Sequence, residues 1–224
     1  SPNLRDMLKG VKTLLDEDGT FIIEAQYWGA MLEKLLFDNI YSEHVFFWTV
    51  TALNNFCLFK DLEIVKVEAL EAHGGSIRVH IQHKQEEQLI DQSVYDFLHK
   101  ERVNKINELE TFQKYQHTIN NHKHIVREIF KQLAISNTKI AAFGCPAKSC
   151  TLLHYFDIGK YIQKIYEDAP LKIGKYSPGY KIPIVSSSEL MADNYDAILI
   201  LACNYGDSIK ARFPDYKGKW ILPV

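Results

Sequence analysis

"TKIAAFGCPAKSCTLLHYF", residues 138 to 156, is the stretch on which the fold turns. Its first seven residues, "TKIAAFG", centre on the apolar "IAAF" and suit a strand. The run ends in the glycine-containing loop "GCPAKSC", and this loop opens a helix at "TLLHYF". The same alternation continues to the end of the chain. A strand "YIQKIYE" and a short strand "IPIV" precede the serine-capped "SSSELM", and after it come the strand "DAILILA", a helix around "YGDSIKARF" and a final "KWILPV". Strands alternating with helices imply a parallel sheet wrapped by helices, so residues 138–224 are expected to form a small Rossmann-like α/β domain.

The first loop of that domain is not a dinucleotide fingerprint. Only Gly144 stands where G-x-G-x-x-G would need three glycines, which leaves a nicotinamide or flavin reading weak. An anion is still one reading of the loop, because a helix start presents free N–H groups and Lys148 stands at its entrance. The other is a tight strand-to-helix connection with a surface lysine.

Upstream, residues 85–137 contain no proline or glycine and carry helical patterning, with Leu109, Phe112, Tyr115 and Ile119, then Ile125, Ile129, Phe130 and Leu133, on recurring faces. A helical bridge broken near "VNKIN" is expected. Its His117, His122 and His124 invite a metal reading. On a helix, however, positions 122 and 124 point about 200° apart, and 117 to 124 spans about 10 Å. Ligands must converge, so a solvated helix face is the better reading.

Residues 1–84 form a third region. Leu4, Met7, Leu8, Val11, Leu14 and Leu15 recur at helical spacing, "DEDG" makes a turn, and "TFIIEA" suits a buried strand. Thr51 is placed to cap a helix running towards Lys60. "LEIVKVEAL" and "GSIRVHIQH" then alternate as paired strands around the turn His73-Gly74-Gly75. The two glycines let backbone approach a ligand closely, with His73 beside them, although a simple hairpin turn accounts for the same residues. Between the first strand and the helix lies "FDNIYSEHVFFWTV", residues 37–50. It sets a phenol, a carboxylate and an imidazole, Tyr41, Glu43 and His44, before the large apolar Phe46, Phe47 and Trp48.

Composition narrows the function classes. With 46% hydrophobic and 24% charged residues in 224, the chain has the makeup of a soluble globular protein. No apolar run reaches the roughly 18 residues that span a bilayer, and "SPNLRDMLKG" lacks a signal peptide's apolar stretch. A cytoplasmic location and no membrane partner are expected. Cys57, Cys145, Cys150 and Cys203 are scattered without C-x-x-C spacing, which suggests reduced thiols and no metal site. A net charge of -2 and the lack of a basic stripe interleaved with aromatics argue against nucleic acid.

Several long stretches together resemble one family. "FDNIYSEHVFFWTVTALNNFCLFKDLEIVKVEALEAHGGSIRVHIQ", "AAFGCPAKSCTLLHYFDIG", "GKYSPGYKIPIVS" and "AILILACNYGDSI" are similar, in the same order, to the S-adenosylmethionine-dependent sugar C-methyltransferases, which make branched deoxysugars on nucleotide carriers. The resemblance covers essentially the whole chain. It implies that His44 is the general base, with Tyr41 and Glu43 holding it or the substrate, and that the chemistry is deprotonation of a sugar carbon next to a keto group followed by methylation of the enolate. An imidazole with an unperturbed pKa near 6.5 suits that task, and an apolar wall would keep water from quenching the enolate. The family segment usually reads Y-H-E-H. Ser42 replaces its first histidine, and a hydroxyl there retains a hydrogen bond but no proton transfer.

The resemblance also sets expectations for what lies elsewhere. Members of the family begin with a cysteine-rich zinc domain and a glycine-rich strand-loop-helix that holds S-adenosylmethionine, and neither pattern occurs in this sequence. Residues 1–84 are then expected to be the C-terminal part of a methyltransferase α/β domain, with the cofactor site largely outside the chain and a strand edge left for pairing. The expected partners are a nucleotide-linked, dTDP-type sugar, contacted by His73, Gly74, Gly75, Gly144 and Lys148, and an N-terminal half. Two functions remain open. One is the catalytic and sugar-binding half of a C-methyltransferase; the other is a non-catalytic module that binds a nucleotide-sugar or docks onto a partner.

Overall fold

The computed structural model describes residues 3–223. The chain forms two compact units. One comprises the residues up to Leu36 with His44–Gln116, and the other Phe37–Glu43 with the residues from His117 onward.

In the first unit a helix α1 (Leu4–Leu14) leads to strand β1 (Phe21–Gln26), a short helix α2 (Trp28–Glu33), helix α3 (Val50–Leu58), strands β2 (Leu62–Leu70) and β3 (Ser76–His83), and helix α4 (Gln92–Val103). The strands make an antiparallel sheet of order β1-β3-β2, with Phe21 opposite Ile81 and Gln26 opposite Ser76. Alternation gives the sheet two different faces. Ile77, Val79 and Ile81 of β3 and Leu62, Ile64 and Val67 of β2 are buried against Leu8, Leu53, Cys57 and Val94. The opposite face is polar. There Arg78 Nε donates to Glu24 at 2.7 Å, and Glu68 meets both Lys66 (2.8 Å) and His80 (2.9 Å). The bonds to Lys66, then to His80, hold the Glu68 carboxyl down to about 2.

α3 is capped by Thr49 and not by Thr51. Thr49 is extended, as a cap must be, and its hydroxyl accepts from Ala52 N, whereas Thr51 already lies inside the helix and donates to Glu101 of α4. Glu101 is 1% exposed and also accepts Val50 N at 2.6 Å and Thr51 N at 2.8 Å, so it satisfies the free donors of the α3 start and ties α4 to it. Between β2 and β3 the turn runs through three left-handed residues, His73 (φ 55°), Gly74 (φ 86°) and Gly75 (φ 146°). Gly75 has no substitute there, since a Cβ would lie 2.4 Å from the Cβ of Ala30.

A long helix α5 (Leu109–Ile135) follows the break at residues 104–108, and its residues from His117 onward count with the second unit. Here strand β4 (Ile140–Phe143), helix α6 (Lys148–Phe156), strands β5 (Ile162–Glu167), β6 (Ile184–Ser186) and β7 (Ala197–Ile200), helix α7 (Gly206–Arg212) and strand β8 (Lys219–Ile221) build a five-stranded parallel sheet of order β6-β5-β4-β7-β8. β4 and β7 are buried at every residue, as central parallel strands covered on both faces must be. The expected mixed α/β, Rossmann-like architecture is therefore present. "SSSELM" forms a single 3-10 turn, Ser187–Glu189, capped by Ser186. On α5, His117 pairs with Asn121, while His122 donates to the carbonyl of Pro223 at 2.6 Å. All four cysteines are free thiols, and burial pushes that of Cys57 up to about 12. No helix among the described residues is long and apolar enough to cross a membrane.

Candidate functional site

The segment after α2 carries the candidate residues Tyr41, Glu43 and His44. Phe37 packs at an angle against the rings of Tyr155 and Phe156 of α6, each at 5.1 Å between centroids, and Thr151 Oγ1 donates to Ile40 O at 3.1 Å, so residues 37–43 are anchored in the second unit. Tyr41 and Glu43 belong there, whereas His44 opens the return to the first unit. The Tyr41 phenol is pushed up, by partial burial first and then by the charges of Glu43 and Asp38. Ser42 and Glu43 face solvent.

Beyond His44 the chain lies alongside the end of β1. Trp48 N donates to Gln26 O and Trp28 N to Trp48 O, at 3.4 and 2.8 Å. This pairing sorts the aromatic run. Trp48 turns into the core against Phe56, Phe46 is 42% exposed, and Phe47 stands edge-on to the His44 ring at 6.3 Å. Of the three residues expected to wall the imidazole, Phe47 stands against it. The same imidazole lies 6.4 Å from the ring of His73, centroid to centroid and nearly perpendicular. Two motifs that are far apart in sequence therefore meet. The left-handed turn at His73–Gly75, fixed by the close approach of Gly75 to Ala30 and by Tyr27 N donating to Gly75 O, delivers the second histidine.

The glycine loop of the second unit is differently occupied. Gly144 takes the left-handed φ of 82° that the turn requires, and a Cβ there would lie 3.0 Å from that of Ala202, at the carboxyl ends of neighbouring β4 and β7. Most donors an anion would need are already used. Gly144 N donates to Tyr166 O (2.8 Å), Cys145 N to Glu167 (2.9 Å), and Ser149 N to Pro146 O (3.0 Å). Lys172 clamps the loop through Cys145 O at 2.9 Å. Burial works to raise the Glu167 carboxyl, but the N–H groups of Ala169, Cys145 and Asp168, with Lys172, outweigh it and hold it below its usual range. Lys148 does not extend into solvent. Its ammonium lies 3.0 Å from the fully buried carboxylate of Asp38, with Asn204 Oδ1 at 3.5 Å. The contact is one of charge, since neither Asp38 oxygen has a well-directed hydrogen bond. Beside this pair, burial, then Asp38, push the Cys203 thiol up to about 11 against the pull of Lys148.

Sequence reading did not single out Asp38, and it took Gln26 and Trp28 only as part of the stretch "TFIIEAQYWG", expected to line at most one side of the cofactor pocket. Asp38 had one available signal, a lone carboxylate in the apolar run 35–40. Gln26 shares the strand face of Glu24, which alone predicts solvent contact.

An acidic residue after the second strand of a Rossmann-like sheet commonly receives ribose hydroxyls. Glu167 holds that position, but it accepts three backbone N–H groups and has no free capacity for a ribose. Glu167 therefore does not fit the ribose of S-adenosylmethionine.

Comparison with known proteins agrees with the order of motifs. Residues 71–224 match the family model described as the C-methyltransferase C-terminal domain. Over 227 aligned positions the chain is 29% identical to C-methyltransferase NovU of Streptomyces niveus, with all of this chain and 54% of that protein aligned. The chain thus spans about half the length of that curated relative. With well over half of its residues matched by the model, the chain belongs to the C-methyltransferase C-terminal domain family.

Proposed function

We propose that this chain supplies the proton-handling and sugar-binding part of an S-adenosylmethionine-dependent C-methyltransferase acting on a nucleotide-linked keto-deoxysugar. The observation that supports this reading is the meeting of His44 and His73 beside Phe47, in a chain of methyltransferase lineage. His44 acts as general base. It takes the proton from the carbon next to the keto group, the C–H electron pair moves into the enolate, and the imidazole becomes imidazolium. Such positioned proton transfer accelerates reactions by roughly 10²–10⁴-fold. His73 lies close enough to share in orienting the imidazole or the keto oxygen. Tyr41, with its phenol held protonated well above neutral pH, serves as a hydrogen-bond donor, and Glu43 holds the substrate or the base. The residues described here handle the proton; contacts to the methyl donor lie outside them.

The test isolates the proton. In the full-length protein with a dTDP-linked 4-keto-6-deoxysugar in deuterated water and no methyl donor, deuterium should wash into the carbon beside the keto group, as followed by NMR. His44→Gln should slow that exchange by about 10²-fold or more and leave sugar-nucleotide affinity nearly unchanged. Exchange at the native rate in the variant would remove His44 from the chemistry.

A further inference from the structure

At the carboxyl end of β1, four buried polar atoms stand without a well-directed hydrogen bond among the described residues: the Tyr27 hydroxyl, which lies in the core near Glu101, and, away from it, Nε2 and Oε1 of Gln26 and Nε1 of Trp28. Buried polar groups are nearly always hydrogen-bonded, and leaving one unpaired destabilises the fold, so a group of such atoms calls for a cause. Their position suggests one. Gln26 lies two residues beyond Glu24 on the sheet face opposite the core, and its strand partner is Ser76, three residues after His73. Trp28, 8% exposed, packs against Phe47 at 6.3 Å, and Phe47 in turn stands against His44. The indole is held firmly, stacked on Phe112 at 5.1 Å and edge-on to Tyr115 at 5.3 Å. Its faces are taken, and the N–H edge is what it has left to offer.

We propose that Gln26 and Trp28 are substrate-binding residues that receive the neutral sugar ring beside His44. This rests on the reading given under Proposed function and assigns it two residues that the family motifs do not include. The chemistry of the pair selects the ligand. Neither side chain carries charge, so a diphosphate gains little from them. An amide offers both a donor and an acceptor and so matches a ring hydroxyl, which also does both. The indole N–H, a donor only, matches a carbonyl oxygen. Donation to the keto oxygen would also favour the enolate, whose charge develops on that atom. A site built to pair a substrate hydroxyl discriminates strongly against an analogue without it, because its own polar atoms are then left buried and unpaired.

Stability and binding should move in opposite directions. In the full-length protein without ligand, Gln26→Leu removes unpaired polar atoms at similar volume and should raise the thermal midpoint by a few degrees, on the order of the shift a single such group produces. Its affinity for dTDP-4-keto-6-deoxyglucose, by titration calorimetry, should fall about 10- to 100-fold while affinity for dTDP alone is unchanged. Trp28→Phe keeps the ring stack and should lose about five- to tenfold in the same titration. It also serves if the leucine variant folds poorly. A lower midpoint for Gln26→Leu would show that the amide has a partner within the protein, and unchanged sugar-nucleotide affinity in both variants would remove them from the site; either result overturns the inference. Native protein that binds the sugar nucleotide no better than dTDP would instead overturn the functional reading, and this inference with it.

Discussion

The two sheets treat their polar groups in opposite ways. At the carboxyl ends of the parallel strands nearly every polar group is matched within the second unit: Glu167 to three backbone N–H groups, Lys172 to Cys145 O, Lys148 to Asp38, and Asp168 to Arg212. At the end of β1 in the antiparallel sheet, Gln26 and the indole N–H of Trp28 are buried and unmatched among the described residues, with Phe47 standing between the Trp28 ring and His44. A Rossmann-like sheet is often assumed to bind its ligand where a glycine loop meets a helix. In this chain that place is closed by structural bonds, and the open valences lie elsewhere. Fold likeness alone does not choose between these two places.

Removing Lys148 is the strongest way to break this contrast. If its ammonium were a surface group poised for phosphate, Lys148→Ala would cost at most about 1 kcal/mol of stability. With Asp38 fully buried beside it, the variant leaves an uncompensated charge and should cost roughly 3–5 kcal/mol in denaturant unfolding. Adding Asp38→Asn should recover much of the loss, because the two changes are coupled. A native-like midpoint for Lys148→Ala would reopen the loop as an anion site.

Glu101 sharpens the comparison from the other side, because it is a buried charge of the first unit whose hydrogen bonds are met within that unit. Its carboxylate accepts Val50 N, Thr51 N and Thr51 Oγ1, and the Tyr27 phenol, pushed up by burial and then by Glu101, lies nearby. Glu101→Gln keeps the shape but loses the charge on these bonds, and should cost about 1–3 kcal/mol. Unlike Gln26→Leu, it should lower the midpoint without changing sugar-nucleotide affinity. Equal effects of the two variants on binding would mean that α4, and not the end of β1, shapes the site.

Much of the architecture was legible in the sequence because it is carried by local periodicity. The apolar runs 140–143 and 197–200, alternating with helical patterns, read as strands of a parallel sheet, and the alternation of 62–70 and 75–83 read as a two-faced hairpin. The break at 104–108 followed from the loss of helical patterning. Caps were harder. Thr49 and Thr51 are equivalent in composition, and the choice between them was made by Glu101, a residue distant in sequence. The site was legible only in pieces. "Y-S-E-H" and "H-G-G" each stood out, but their meeting depends on Gly75 fitting against Ala30, which no periodicity encodes. Lys148 read either as an anion-binding or as a surface lysine, and nothing local marked Asp38 or Gln26 as buried. Their burial is tertiary, and a pattern of two or of 3.6 carries no trace of it.

The smallest expected effect separates two neighbouring carboxylates of the second unit by how they are held. Asp168 accepts Arg212 Nη1 and Nη2 at 2.6 and 2.9 Å and Ser187 Oγ at 2.5 Å, and Arg212 above all holds its carboxyl down to about 2. The unfolded value is near 3.9, so the folded state binds fewer protons across the interval between them. The contribution is fully present above about pH 4 and is lost as pH falls towards 2. Since the Asp168 side chain is 47% exposed, salt screens much of this. Glu167, also depressed, acts in the same direction through backbone N–H groups, which salt hardly reaches. Thermal midpoints measured from pH 5 down to 2 should therefore fall less steeply for Asp168→Asn than for the native protein at low salt, with the difference shrinking at about 1 M salt. The corresponding difference for Glu167→Gln should persist at both ionic strengths. If both differences vanished in salt, Glu167 would be held by Lys172 and not by the backbone, and the loop it staples would be looser than its hydrogen bonds imply.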